Sequence, residues 1–162
     1  MDQVVEGGLV DGEPEAFVTN ELQIAVPAGN EAGVAGLADF ADADLLLGLC
    51  AEDVPCGQFG REALANAGVT PSIDTDEPDV RSLLTKIEAG ELDAGIVYRT
   101  DVLSAGDDVE GIDIPPEDNV TATYPIAALA DAGDLDAARA FVAFVLSEDG
   151  QAILESFGFG TA

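Results

Sequence analysis

Apolar and polar positions along the chain predict short strands that alternate with amphipathic helices. Residues 45–49 and 94–98 are almost continuous apolar runs, which is typical of strands buried on both faces of a sheet. Further extended segments are predicted at residues 16–19, 22–26, 112–114 and 121–129. This alternation favours an α/β chain with parallel strands.

Helices are predicted where apolar residues recur at three- and four-residue spacing. Residues 78–89 open with a proline, carry an apolar stripe from Val80 to Ile87, and end at Gly90. Residues 2–10 read as the last turns of a helix. The remaining predicted helices are residues 36–41, residues 58–67 ended by Gly68, and two closing helices capped by Asp134 and Ser147.

Charge and composition restrict the expected partners. The 5 Lys and Arg residues against 33 Asp and Glu residues give a formal net charge of −28. Nucleic acid and anionic lipid are therefore not expected partners, because both need basic side chains to bind. The hydrophobic fraction of 48% is high enough for a packed core, so the acidic side chains are expected on the surface.

Enzyme chemistry is not predicted. The chain contains no His, which removes His-based catalysis and His-ligated metal sites. It also lacks a nucleophile elbow, a P-loop and a dinucleotide fingerprint. We expect no catalytic residue, no cofactor and no directly bound metal.

Membrane insertion by this chain is not expected either. No segment approaches the roughly 18 apolar residues that span a bilayer. The first residues, MDQVVE, have neither a basic region nor an apolar run, so no signal peptide is expected in this chain.

The two cysteines, Cys50 and Cys56, lie close together in the sequence. They are either two unrelated thiols or one short-loop disulfide, and a disulfide would imply an oxidising compartment. The spacing is not the C-x-x-C of a redox motif.

Three positions predict a site for a small anion. Cys56 lies immediately before a predicted helix, Val80 lies in the first turn of another, and Tyr98 ends a buried strand. Helix-start amides and a tyrosine hydroxyl offer hydrogen-bond donors only, which suits an oxoanion. The alternative is that these are the helix starts of any α/β chain and that Tyr98 is a packing residue.

Several segments resemble the molybdate-binding proteins, which are the solute receptors of molybdate ABC importers. Residues 77–81 (EPDVR) and 88–101 (EAGELDAGIVYRTD) resemble a characteristic block of that family, and residues 54–64 (VPCGQFGREAL) resemble the segment around its second-lobe oxoanion contact. Weaker matches to its crossover and C-terminal segments lie at residues 22–30 (LQIAVPAGN), 124–127 (YPIA) and 141–159.

The resemblance implies a type II periplasmic-binding-protein-like fold with two lobes and parallel-rich sheets. Residues 1–20 would be a remnant of lobe 1, and residues 21–122 a complete lobe 2. Residues 123–162 would form the crossover and the C-terminal helices that return to lobe 1. Lobe 1 would then be incomplete, which would weaken or abolish ligand binding and expose apolar surface.

The implied function is that of an extracytoplasmic receptor that binds molybdate and tungstate for the membrane permease of an ABC importer. The receptor would act on the periplasmic or extracellular face of the membrane. The implied contacts are the amides of Cys56 and Val80 and the hydroxyl of Tyr98, with a Cys50–Cys56 disulfide holding the first loop. Arg61 and Arg81, near the two helix starts, are interpreted as solvated surface residues.

Two alternatives stay open. One is a cytoplasmic effector domain that senses an anion or a small acid. The other is a receptor for a different oxoanion such as sulfate.

Overall fold

Helices and strands alternate along the chain, as the apolar pattern predicts. All 162 residues are described by a computed structural model. The helices are α1 Asp2–Glu6, α2 Pro55–Asn66, α3 Val80–Glu88, α4 Arg99–Ala105, α5 Leu135–Leu146 and α6 Glu148–Ser156. The strands are β1 Val10–Pro27, β2 Leu47–Cys50, β3 Thr75–Glu77, β4 Ala94–Tyr98, β5 Val109–Asp113 and β6 Thr121–Leu129. Two short 3₁₀ helices lie at Leu37–Ala41 and Gly106–Asp108.

The chain divides into two compact units. Unit 1 consists of Met1–Asn20 together with Ala122–Ala162, and unit 2 is the continuous segment Glu21–Thr121. The first boundary falls inside β1 and the second at the start of β6. The polypeptide therefore passes between the units along these two strands.

The sheet is mixed, with strands in the order β3-β2-β4-β1-β5, and β6 also pairs with β1. The three strands β3, β2 and β4 are parallel, as the sequence predicts. β1 is antiparallel to both β4 and β5. The α/β class is confirmed, and the long first strand supplies the antiparallel pairings that the pattern of short apolar runs does not predict.

The core lies mainly in unit 2. All residues of β2 and β4 are buried, which accounts for their continuous apolar sequences. Helix α3 buries Leu83, Leu84 and Ile87 of its predicted stripe. Unit 1 adds only Val18, Ala122 and Ala128 to the buried apolar set.

Unit 1 exposes much of its apolar surface. Helix α5 has an apolar stripe in sequence but no buried residue. Phe141 is 63% exposed and Phe157 of the same unit is 65% exposed. No helix in the structure combines the length and the apolar character needed to cross a bilayer.

Some elements differ from the sequence prediction in their bounds, and two are not predicted at all. Val10 begins β1 rather than ending a helix, and β1 continues without a break through the polar residues Asn20 and Glu21. Helix α2 begins at Pro55, because proline without an N–H fits the first helical turn. β3 and α4 are not predicted, because β3 is the polar tripeptide Thr-Asp-Glu and α4 buries no residue.

Candidate functional site

Two helix starts and the end of a buried strand meet at one edge of the parallel strands in unit 2. The register pairs Cys50 of β2 with Glu77 of β3, and Gly48 of β2 with Gly95 of β4. The carboxyl ends of β2, β3 and β4 are therefore level. The chain turns from each end into the first turn of α2, α3 or α4, so Cys56, Val80 and Tyr98 all lie at this edge. The carboxyl edge of parallel strands is where α/β sheets commonly bind ligands.

The start of α2 presents the amide of Cys56. Val54 is the N-cap residue, and its carbonyl oxygen accepts the amides of Gly57 at 3.0 Å and Gln58 at 3.1 Å. Pro55 has no amide hydrogen. The Cys56 amide thus belongs to the first-turn donors that an α-helix leaves without an intrahelical acceptor.

The loop before α2 is closely fixed to the end of β2. Cys50 and Cys56 form a disulfide with Cα atoms 5.7 Å apart. The backbone of Gly57 lies so close to the loop that a Cβ atom there would be 1.9 Å from the carbonyl oxygen of Ala51. The Ala51 amide continues the ladder with a 2.7 Å bond to the carbonyl oxygen of Glu77. The loop is therefore held by covalent, steric and hydrogen-bonded contacts.

The sequence suggests that Arg61 is a solvated surface residue, but in the structure its guanidinium is bonded to neighbouring residues. Its Nη1 atom donates to the carbonyl oxygens of Cys50 at 2.7 Å and Gly57 at 3.1 Å. Its Nη2 atom donates to Asp76, and its Nε atom is 3.5 Å from a Glu52 carboxylate oxygen. The guanidinium thus joins β2, β3 and the first turn of α2.

The start of α3 presents the amide of Val80. Asp79 is the N-cap residue, and its carboxylate accepts the Ser82 amide at 2.7 Å. Hydrogen bonds from the amide and hydroxyl of Ser82, and then from the Arg81 amide, lower the pKa of Asp79. None of these bonds involves the Val80 amide, which remains a helix-start donor.

Tyr98 ends β4 and is 9% exposed. Its amide donates to the Asp101 carboxylate at 3.0 Å, which caps the first turn of α4. Burial raises the pKa of Asp101, while the Tyr98 amide and the charge of Arg81 act in the opposite direction. Arg81 itself is exposed on the first turn of α3.

Glu77 is a buried acidic residue at this edge, at the end of β3. Its Oε1 atom accepts from Lys86, the only lysine of the chain, and from the hydroxyl of Thr75. These two bonds lower the pKa of Glu77, and the bond from Lys86 has the larger effect on it. The ammonium group of Lys86 therefore neutralises the charge of the Glu77 carboxylate within this cluster.

The sequence singles out Cys56, Val80 and Tyr98, but it does not reveal what supports them. Asp79 lies three residues before Ser82, whose amide it accepts, and Asp101 lies three residues after Tyr98, whose amide it accepts. This spacing is typical of helix caps and could have been recognised in the sequence. The partners of Arg61 come from three separate elements and have no local signal. No three His, Cys, Asp or Glu side chains are grouped to hold a metal ion.

Comparison with known proteins identifies the family. The model of the bacterial extracellular solute-binding protein family matches residues 1–160. The chain belongs to this family. A curated relative of this chain is the molybdate-binding protein ModA of Mycobacterium tuberculosis. It is 35% identical over 159 residues, which are 98% of this chain and 61% of the relative. The chain thus spans about three fifths of the curated relatives' length.

Solved structures of other solute-binding proteins have the same fold. The substrate-binding domain assigned to a molybdenum ABC transporter of Clostridium difficile superposes with a TM-score of 0.82 at 25% identity, covering 100% of this chain and 72% of that one. The periplasmic molybdate-binding protein of Azotobacter vinelandii gives a TM-score of 0.78 at 14% identity, covering 99% of this chain and 74% of that one. The periplasmic-binding-protein type of fold is confirmed. These relatives are solute-binding proteins and not enzymes.

Proposed function

We propose that this chain supplies oxoanion-binding donors of an extracytoplasmic receptor that serves an ABC importer, with molybdate as its ligand. The proposed contacts are the amides of Cys56 and Val80 and the hydroxyl of Tyr98. The observation that carries the proposal is that two helix starts and a buried tyrosine lie at one edge of three parallel strands. The 35% identity to a molybdate-binding protein supports molybdate over other oxoanions.

The chemistry of these donors suits a tetrahedral dianion. Helix-start amides carry partial positive charge and need no ionised partner, and a phenol hydroxyl adds a neutral donor. Binding would involve no covalent step. Tungstate has nearly the size of molybdate, so we expect the same donors to accept both anions and to select against the smaller sulfate.

The proposed partner is the membrane permease of the importer, and the proposed location is the outer side of the cytoplasmic membrane. The Cys50–Cys56 disulfide supports this location, because disulfides persist in oxidising compartments. A cytoplasmic sensing domain would more typically keep these thiols reduced.

A residue-resolved titration tests the proposal even if binding is weak. The oxidised, ¹⁵N-labelled chain is titrated with sodium molybdate, tungstate and sulfate at equal ionic strength, and amide shifts are followed by NMR. We expect saturable shifts at the Cys56 and Val80 amides with molybdate and tungstate. Saturation by sulfate at lower concentration would assign a different cargo, and no shift at either amide with any anion would refute the site.

Tyr98→Phe gives the matched side-chain test. Loss of a hydrogen bond to a charged ligand predicts at least about tenfold weaker molybdate binding. The control is Tyr124→Phe, which removes the same hydroxyl from the only other tyrosine. Tyr124 is not one of the proposed contacts and packs edge-on against Phe159 with ring centroids 6.1 Å apart, so this variant should bind like the unmodified chain.

A further inference from the structure

Two independent links tie the end of β2 to the first turn of α2. One is the Cys50–Cys56 disulfide. The other is the Arg61 guanidinium, which bridges the carbonyl oxygens of Cys50 and Gly57 from a single nitrogen. The disulfide ends at the side chain of Cys56, and one of the Arg61 bonds ends at the carbonyl oxygen of the next residue, Gly57. The disulfide alone closes the loop. The Arg61 link therefore adds control over the orientation of the first turn of α2.

We propose that Arg61 is a positioning residue that orients the Cys56 amide toward the bound oxoanion. The inference rests on the proposed function of this edge of the sheet. Arg61 acts through the carbonyl oxygens of Cys50 and Gly57, and it does not contact the anion itself.

The electrostatics favour orientation over attraction as the role of Arg61. Its guanidinium is bonded to Asp76 and lies 3.5 Å from Glu52, so two carboxylates offset its single positive charge. Little net positive potential remains for a nearby dianion. Its side chain is 27% exposed, and its carbonyl bonds are therefore partly shielded from competing water.

The geometry also requires arginine rather than any cation. Nη1 holds two carbonyl oxygens while Nη2 holds Asp76 on the neighbouring strand. The planar guanidinium presents these donors in a fixed arrangement, whereas lysine offers a single ammonium group on a flexible stem. Arg61→Lys thus keeps the positive charge and removes the planar set of donors. The variant therefore separates orientation of the turn from attraction of the anion.

The decisive test compares Arg61→Lys with Arg81→Lys in the NMR titration with molybdate. Both changes are chemically identical and both sites lie in the first two turns of a helix at this edge. Loss of about one carbonyl bond predicts three- to tenfold weaker binding for Arg61→Lys. Arg81→Lys should stay within about twofold of the unmodified chain, because an exposed charge that is preserved contributes little.

A second readout needs no ligand. In Arg61→Lys the Gly57 and Gln58 amides, both bonded to the Val54 carbonyl, should exchange with solvent several-fold faster while amides of α3 are unchanged. Equal exchange and equal affinity in Arg61→Lys and the unmodified chain would overturn the inference. Faster exchange with no molybdate binding by either protein would refute the proposed function and keep the positioning role.

A milder variant covers the case in which Arg61→Lys does not fold. Asp76→Asn weakens only the Nη2 contact and leaves both carbonyl bonds available. It should show a smaller change in the same direction in affinity and in Gly57 exchange. No change in either measurement would count against the planar set of donors as the positioning device.

Discussion

A Cβ atom on Gly57 would overlap the carbonyl oxygen of Ala51 at 1.9 Å and that of Cys50 at 2.5 Å. Both obstacles are backbone atoms of the loop that the disulfide and Arg61 fix in place. The first turn of α2 therefore packs against the loop at a distance that only glycine permits at position 57. The same helix contains Gly60, where the nearest atom to an added Cβ would be a flexible Leu49 methyl group at 3.5 Å.

Alanine at Gly57 and at Gly60 should have opposite consequences. Gly57→Ala must displace the helix or the loop, and we expect it to lower the free energy of unfolding by about 2 kcal/mol or more. Gly60→Ala should be neutral or stabilising by up to about 1 kcal/mol, because alanine favours a helix interior and has room there. Urea unfolding of both variants provides the measurement, and equal losses would contradict the steric account.

Reducing the disulfide should destabilise the chain modestly. Cys50 and Cys56 are separated by 6 positions, and closing so short a loop in the unfolded state contributes about 2 kcal/mol. Unfolding in urea with and without a phosphine reductant measures the difference. The Cys50→Ala/Cys56→Ala double variant serves as control, since the reductant should not move its midpoint. An unchanged midpoint for the unmodified chain would show that the disulfide does not constrain the loop.

The Lys86–Glu77 pair should make stability depend on acid pH. The bonds from Lys86 and Thr75 hold the pKa of Glu77 below its ordinary value of 4.5. Because the pKa is depressed in the folded state, the pair stabilises fully above the unfolded value. This stabilisation is lost as the pH falls below 4.5 through the folded pKa.

Lys86→Met isolates this effect from the many other carboxylates. Removing the partner of a buried carboxylate should cost about 2 kcal/mol at pH 7, less than for a fully buried pair because the Lys86 side chain is 38% exposed. The difference from the unmodified chain should shrink below pH 4.5 as Glu77 becomes protonated. Lys86→Arg, which keeps the charge, should retain most of the stability. A difference that stays constant from pH 7 to pH 3 would exclude the pair as its source.

Added salt should strengthen molybdate binding. The formal charge of −28 repels a dianion over long range, whereas helix-start amides act only at contact. The Debye length falls from about 30 Å at 0.01 M salt to about 3 Å at 1 M, so salt removes the repulsion and leaves the contacts. Titrations at increasing sodium chloride should give tighter binding and a faster on-rate. An on-rate that falls with salt would contradict this prediction.

The candidate contacts can be found from the sequence because backbone donors have local markers. Pro55 is a marker of the start of α2 that the prediction of residues 58–67 does not use, Pro78 opens the predicted helix that contains α3, and the apolar run before Tyr98 marks the end of a buried strand. Each of these markers depends only on residues a few positions away, so it can be recognised in the sequence without the fold.

What escapes prediction depends on contacts between distant segments. β3 is only Thr75–Glu77, and it becomes a strand because β2 offers a parallel edge and Lys86 compensates the buried carboxylate. Arg61 looks like a surface residue until Cys50 and Asp76 are placed beside it by the sheet. Helix α4 buries no residue, so its sequence has no apolar stripe from which a helix could be predicted.

The division of the chain also sets an order of assembly. Unit 2 is one continuous segment, whereas unit 1 joins Met1–Asn20 to Ala122–Ala162. Contacts between the two parts of unit 1 therefore join residues that lie on either side of the whole of unit 2 in the sequence. Unit 2 can complete its own sheet and helices, and its folding closes the long loop that separates the two parts of unit 1. Folding of unit 2 thus lowers the entropic cost of bringing the two parts of unit 1 together.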